Sequence, residues 1–218
     1  MKTYTIHLIR HGLTQGNFDG VYTGHTDDAL CPEGVRELKA LRAGAKYPDV
    51  PILFSSPLKR CLETAELLYP DVKPLIMDGF IEYNFGSFDG RTAEELKDNE
   101  DFKKWLSGDP DAAPPYGESN REFQNRVAET FVKVVDGLLK TGVTESAILT
   151  HGGVIMTIMA MFALPEAPMT DWMTDCGCGY TCRITPSLWS QIQKMEGVAQ
   201  IPGPKDPEEE NGGDSAWH

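Results

Sequence analysis

The stretch Thr5–Asn17, T-I-H-L-I-R-H-G-L-T-Q-G-N, opens as an alternating apolar run on Ile6, Leu8 and Ile9, then turns abruptly to Arg10-His11-Gly12. Alternation of this kind reads as a strand. Ligands in open α/β sheets bind beyond the carboxyl ends of the strands, so a strand that stops on a cation, an imidazole and a glycine belongs to such a sheet. Gly12 lets the backbone approach a ligand closely. Arg10 offers forked donors to an oxyanion, and His11 a nucleophile or base near neutral pH. Taken alone, the stretch is equally compatible with a plain strand-to-loop transition.

A second stretch repeats the design. Ala147-Ile148-Leu149-Thr150 reads as a buried strand and runs into His151-Gly152-Gly153 and an apolar helix. If both strands are central neighbours in one parallel sheet, His11 and His151 meet at the same edge. Two imidazoles beside an arginine suit a dianionic group such as phosphate. Arg60 adds to this: Ser56 as N-cap and Pro57 at the first helical position place it in a first helical turn. The helix dipole disfavours a cation there unless an anion is bound at that helix start; a solvated Lys59-Arg60 pair is the alternative. Glu82 lies in F-I-E-Y-N-F-G between apolar residues. Apolar surroundings raise a carboxyl group's pKa, the property a general acid needs, although a loop glutamate bonded to nearby backbone fits the same pattern.

Between these points the chain alternates strands and helices. Pro32, Val35, Leu38, Leu41 and Ala45 mark a helix reaching Tyr47, Ile52–Phe54 a short strand, and Leu58, Leu62, Ala65 and Tyr69 one helical face. A brief strand lies around Pro74–Met77, and Thr92 with Glu95 forms a capping box for a helix to about Leu106. Ser107–Gly117 reads as a mobile loop. Phe123, Val127, Phe131, Val134 and Leu138 line a long amphipathic helix stopping near Gly142, and a last strand falls within Gly179–Thr185. The expected fold is α/β: a three-layer sandwich, mostly parallel central sheet with helices on both faces. Residues 1–201 are expected to form a single catalytic domain. Residues 202–218, rich in Pro, Gly and acids, are expected to form an acidic, disordered tail.

Composition narrows the function. A chain of 218 residues that is 40% hydrophobic buries a proper core without disulfide or metal staples. A net charge of −13 argues against a nucleic-acid partner. Five cysteines without framework spacing fit reduced thiols in a cytosolic protein. The opening residues lack a signal peptide's apolar core and cleavage site, and the run Val154–Leu164 is too short to span a bilayer. A soluble cytoplasmic protein with no membrane partner is expected. Cys176, Cys178 and Cys182 form a C-x-C-x-x-x-C cluster, unlike the paired C-x-x-C of zinc sites, and no metal is assigned to it.

Taken in order, R-H-G-x-T-x-x-N at Arg10–Asn17, S-S-P-L-x-R at Ser55–Arg60, E-x-N-F-G-x-F-D-G at Glu82–Gly90, G-E-S at Gly117–Ser119 and T-H-G-G-V-I at Thr150–Ile155 form a specific set. The chain resembles the histidine phosphatase superfamily over about Thr3–Thr185, in the phosphoglycerate mutase-like branch that also holds alpha-ribazole-phosphatase-type enzymes. The resemblance implies the phosphoglycerate mutase-like fold. It implies His11 as the nucleophile forming a phosphohistidine, Arg10, Arg60 and His151 around the phosphoryl oxygens, and Asn17 as a further donor. By the same resemblance Glu82 protonates the leaving alcohol, Gly152 belongs to the phosphate site, and Thr14, Thr23 and Gly24 line the substrate side. Neither metal nor other cofactor is implied. The function expected is metal-independent phosphomonoesterase activity on a small phosphorylated metabolite. The compact interval from Glu82 to His151 favours that over a cofactor-dependent phosphoglycerate mutase, and the full set of reacting residues favours it over a non-catalytic phosphate-binding module. The specificity loops, Gly86–Arg91 and Asp109–Ser119, carry no readable substrate code, and neither partner subunits nor an oligomeric state can be read.

Overall fold

The computed structural model describes residues 2–204. In chain order the elements begin with β1 (Tyr4–Arg10), α1 (Gln15–Phe18), α2 (Pro32–Gly44), β2 (Ala45–Lys46), β3 (Leu53–Ser55), α3 (Lys59–Leu68) and β4 (Leu75–Ile76). There follow α4 (Ala93–Leu96), α5 (Glu100–Leu106), α6 (Asn120–Thr141), β5 (Glu145–Thr150) and α7 (Gly152–Phe162). The last are β6 (Ala163–Leu164), β7 (Gly179–Ile184), α8 (Pro186–Ile192), β8 (Met195–Ile201) and β9 (Gly203–Pro204).

Seven strands form one sheet in the order β4-β3-β5-β1-β7-β8-β6. Only β7 runs against its neighbours, β1 and β8; the pairings β1–β5, β3–β5, β3–β4 and β6–β8 are parallel. The β1–β5 register pairs Arg10 with Thr150, so the two histidines that follow these residues leave the sheet side by side.

Alternation along the central strands feeds two cores. Ile6, Leu8 and Ile148 face one side, with Val127, Phe131 and Val134 of α6 and Ile155 and Ile158 of α7. Ile9, Ala147, Leu149 and Leu53 face the other, with Leu38 of α2 and Ala65 and Leu68 of α3. The result is helix, sheet, helix: an α/β three-layer sandwich. Ile6, Leu8, Ile9, Ile148 and Leu149 are completely buried, and each such side chain contributes about 1.5–3 kcal/mol relative to exposure.

Helix boundaries follow local chemistry. Ser119 and Glu122 close a capping box at the start of α6, and Gly142 ends it in the left-handed region at φ 74°. The expected box of Thr92 and Glu95 forms, but its helix stops at Leu96. Asn99 accepts the Phe102 N–H at 3.0 Å and starts a separate helix, α5. The helix expected from Ser56 begins later, at Lys59, because Leu58 is extended (φ −71°, ψ 142°) and gives no side-chain cap. The segment read as a mobile loop is anchored: Ala112 is buried, Asn120 Nδ2 donates to the Trp105 and Asp109 carbonyls, and the Arg121 N–H donates to the Pro110 carbonyl.

The strand expected within Gly179–Thr185 is β7, and it is followed by another, β8, whose middle is exposed and therefore lacks apolar alternation. Two residues assigned to the tail, Gly203–Pro204, pair with Ala45–Lys46. The tail beyond residue 204 lies outside the described residues. Among the described residues no helix is long and apolar enough to cross a membrane.

Candidate active site

His11 and His151 sit at the ends of adjacent strands with ring centroids 5.2 Å apart, edge to face. Both are buried. The Nδ1–H of His11 donates to the Gly12 carbonyl at 2.7 Å, so the lone pair of the neutral ring is on Nε2. The His11 pKa lies well below its ordinary 6.5, first because burial penalises the imidazolium and then because Arg60 and Arg10 repel it; the Gly12 carbonyl opposes this. His151 is lowered in the same direction, by burial first and then by His11, Arg60 and Arg10. Two neutral imidazoles against two guanidiniums make a site that lacks only an anion's charge.

Arg60 is fully buried. Its Nε–H donates to His151 Nδ1 at 3.2 Å, Nη1 to the Thr26 carbonyl and Nη2 to the Gly24 carbonyl, each at 2.7 Å. A β-carbon at Gly24 would stand 2.1 Å from the Tyr83 carbonyl, so only glycine lets this loop close on Arg60. Nε2 of His151 is 2.8 Å from Ser56 Oγ. Cys61 lies under the same ring, Sγ 3.6 Å from Nε2, its thiol pushed up to about 12 by burial. Arg10 donates from Nη1 to the Thr174 carbonyl at 2.7 Å, while its Nε is buried without an acceptor among the described residues. Gly152, the first residue of α7, lies over that guanidinium: a β-carbon there would be 3.5 Å from Nε. An unpaired buried donor is costly, and an oxyanion would satisfy it.

Glu82 reaches the same place from the far side. It is 8% exposed, and its Oε2 accepts the Gly153 N–H at 3.0 Å while Oε1 accepts the Tyr83 N–H at 2.8 Å. The carboxylate thus touches the helix start that follows His151.

The other expected residues fall into two groups. Asn17 caps α1 reciprocally with Thr14: its Oδ1 accepts the Thr14 N–H and hydroxyl. A backbone N–H must face the amide oxygen, so the Nδ2 amino group of Asn17 points the other way. Thr14 is fully buried and its hydroxyl is used in that cap. Thr23 packs by its hydroxyl against Gly16, where a β-carbon would be 2.2 Å away. The cysteines diverge: Cys182 is buried against Met159 Sδ at 3.5 Å, while Cys176 and Cys178 are half-buried. Among the described residues no group of three or more His, Cys, Asp or Glu could hold a metal ion.

Sequence reasoning missed three participants. Ser56 was read as a helix cap and instead bonds His151. Glu118 and Arg126 form an ion pair at 2.6 Å behind the Glu82 segment. The signal for Arg126 was a cation next to Val127 and three residues from Phe123, on the edge of the apolar stripe of α6.

Comparison with known proteins agrees with this geometry. The family profile of the histidine phosphatase superfamily (branch 1) matches residues 6–191. The adenosylcobalamin/alpha-ribazole phosphatase of Salmonella typhimurium is 28% identical over 199 residues, covering 89% of this chain and 92% of that protein. A 2,3-bisphosphoglycerate-dependent phosphoglycerate mutase of Tropheryma whipplei is 27% identical over 179 residues, covering 70% and 80%. The crystal structure of the alpha-ribazole phosphatase from Shigella flexneri superposes with a TM-score of 0.77 at 23% identity, covering 93% of this chain and 98% of that one, which shows a shared fold.

Proposed function

The chain belongs to the histidine phosphatase superfamily and is a phosphoric monoester hydrolase, and we propose that its reaction runs through a phosphohistidine on His11. One observation carries this reading: His11 is held neutral, its Nδ1 tied to the Gly12 carbonyl, beside His151 and between two arginines. Nε2 attacks phosphorus in line with the leaving oxygen, and the phosphorus–oxygen bond of the ester breaks. Glu82 gives its proton to the departing alkoxide. A water then attacks the phosphohistidine, its proton passes to Glu82, and inorganic phosphate leaves with His11 restored.

Arg10, Arg60 and His151 stabilise the phosphoryl charge, with Asn17 Nδ2 as a further donor. Arg10 Nε is the donor still lacking an acceptor. Arg60 acts partly through His151, whose ring it orients. Gly152 lies in ordinary contact distance over the guanidinium of Arg10, and Gly24 supplies the carbonyl that aims Arg60. No step calls for a metal ion. The Salmonella relative's name makes alpha-ribazole phosphate the first substrate to test; a sugar phosphate and phosphoglycerate complete the set.

The experiment is phosphate release from a panel of phosphomonoesters in chelator, comparing wild type with His11→Ala, alongside 3- to 2-phosphoglycerate interconversion. Release that vanishes in the variant, with acid-labile phosphate trapped on the wild type, is expected. Turnover surviving in His11→Ala sinks the reading. Interconversion with little release moves the chain to the mutases, as the Tropheryma relative's name allows.

A further inference from the structure

Glu82 is carried on an irregular segment that follows the short 3-10 turn Asp78–Phe80. A loop leaves a carboxylate free to wander unless something fixes its backbone. Thr150 Oγ1 donates to the Phe80 carbonyl at 2.8 Å and His25 Nε2 lies 3.1 Å from the Glu82 carbonyl, but most of the segment's backbone bonds to side chains come from one guanidinium. Arg126 uses all five of its N–H donors: Nη1 donates to the Gly79 carbonyl at 3.1 Å and the Ile81 carbonyl at 2.7 Å, and Nη2 to the Glu82 carbonyl at 2.8 Å. The remaining two go to Glu118, Nη2 to Oε1 at 2.6 Å and Nε to Oε2 at 2.9 Å. Three carbonyls of the segment, including that of Glu82 itself, are thereby pinned to one rigid plane.

Glu118 closes the arrangement from the other end. Its Oε1 also accepts the Asn84 N–H at 2.7 Å, its own N–H donates to the Asn84 carbonyl at 3.1 Å, and its carbonyl accepts the Tyr83 hydroxyl at 2.8 Å. Residues 79–84 are therefore held at both ends by two side chains that touch neither histidine. The pair is not a surface ion pair of little worth: the side chains are 27% and 14% exposed, and the guanidinium also lies 4.9 Å from the Phe123 ring centroid. Arg126 projects from α6, which packs in the core under the sheet. The acid is thus referenced to the rigid body of the fold.

We propose that Glu118 and Arg126 are positioning residues for proton transfer by Glu82, acting through the backbone of residues 79–84. This rests on Glu82 being the general acid. The consequence is specific. Loosening the pair leaves phosphoryl binding by His11, Arg10, Arg60 and His151 in place and displaces only the group that protonates the leaving oxygen. A misplacement of about 1 Å costs on the order of 100-fold in a step that depends on that group. In kcat/KM, which reports formation of the phosphohistidine and not its hydrolysis, esters whose leaving group needs no proton are spared.

The test measures kcat and KM for two substrates of opposite leaving-group quality, p-nitrophenyl phosphate and an alkyl phosphate such as glycerol phosphate. Wild type is compared with Glu82→Gln, Glu118→Gln, Arg126→Lys and the double variant Glu82→Gln/Glu118→Gln, with thermal unfolding recorded for each. Glu118→Gln and Arg126→Lys are expected to lose kcat/KM by about 10- to 100-fold on the alkyl ester and less than about 3-fold on the aryl ester. The double variant is expected to show no further leaving-group-selective loss beyond Glu82→Gln. Equal losses on both substrates, or no loss, would overturn the proposal, since a general loss of folded protein lowers both alike. If Glu82→Gln itself shows no selectivity, the assignment of Glu82 as acid fails and the positioning role falls with it. Should Arg126→Lys fold poorly, Glu118→Gln, which keeps the side chain's shape, carries the comparison.

Discussion

The Nε–H of Arg60 donates to Nδ1 of His151 at 3.2 Å, and this contact decides the tautomer of the imidazole. A guanidinium has no lone pair to accept with, so Nδ1 must be the bare nitrogen. The proton of the neutral ring is then on Nε2, aimed at Ser56 Oγ 2.8 Å away. His151 is a donor held in readiness, and a phosphoryl oxygen can take the place of the serine.

Ser56→Ala removes the resting acceptor of that proton. One hydrogen bond of this kind contributes about 0.5–1.5 kcal/mol, so kcat/KM should fall roughly 2- to 10-fold, with partial recovery in Ser56→Thr. The nitrogen shifts of His151 by NMR should show Nε2–H as the major tautomer both in wild type and in Ser56→Ala, because the Arg60 donor to Nδ1 remains. A major Nδ1–H tautomer in either protein would contradict the assignment.

Arg60→Lys is not a conservative change. A lysine reaches one partner where the guanidinium reaches three, the Gly24 and Thr26 carbonyls and His151. A hydrogen bond to a charged group contributes about 1.5–3 kcal/mol, and denaturant unfolding should register a loss of at least that order. Activity should fall further than folded protein does, because His151 loses its orienting donor.

The pH dependence follows from His11 and His151, with His7, also lowered by burial, adding in the same direction. His11 and His151 each stay neutral in the folded chain, through burial first and neighbouring positive charge second, and take up a proton in the unfolded chain below about 6.5. Unfolding therefore binds protons in that range, and their contribution to stability is lost as pH falls from about 6.5 toward the folded values. The denaturation midpoint should be nearly flat from about pH 7 to 8 and lower at about pH 5, with a shallower slope in His11→Asn. The acid limb of kcat/KM should lie below the ordinary histidine value.

Two glycines separate activity from stability. A β-carbon at Gly153 would stand 2.5 Å from Glu82 Oε1, the end of a side chain that can swing away. Gly153→Ala should leave the melting temperature nearly intact while lowering kcat on alkyl esters. At Gly24 the clash is with the Tyr83 backbone carbonyl at 2.1 Å, which cannot yield without moving the loop. Gly24→Ala should destabilise by about 1–3 kcal/mol and lower turnover on every substrate. Circular-dichroism melts beside the two-substrate assay distinguish the cases.

The pairing of His11 with His151 was readable because each ends an apolar strand with the same polar-His-Gly sequence, and strand ends in a parallel pair share an edge. The alternation of Ile6, Leu8 and Ile9 likewise foretold two cores. Ser56 was misread because Ser-Pro is a local helix-start signal, whereas its hydroxyl is engaged by a histidine 95 residues away. Nothing local reveals such a partner. The same holds for Arg126: beside Glu118, its acceptors are backbone carbonyls 44 to 47 residues earlier, which leave no mark in residue type. The break between α4 and α5 was missed because one good cap at Thr92 masks a second at Asn99.

β1 carries His11 just past its end, yet both of its neighbours, β5 and β7, come from the distant half of the chain. During synthesis the strand is made first and remains without partners until residues 145–184 have left the ribosome. Its apolar side chains, Ile6 and Leu8 on one face and Ile9 on the other, must wait through that interval, a high-contact-order closure of the kind that folds slowly and tempts chaperones. His11 is translated well before both strands that frame the place it occupies. A nascent chain stalled before β5 would therefore hold the whole R-H-G motif with no His151 beside it, which makes the meeting of the two histidines a direct report that the middle of the sheet has closed.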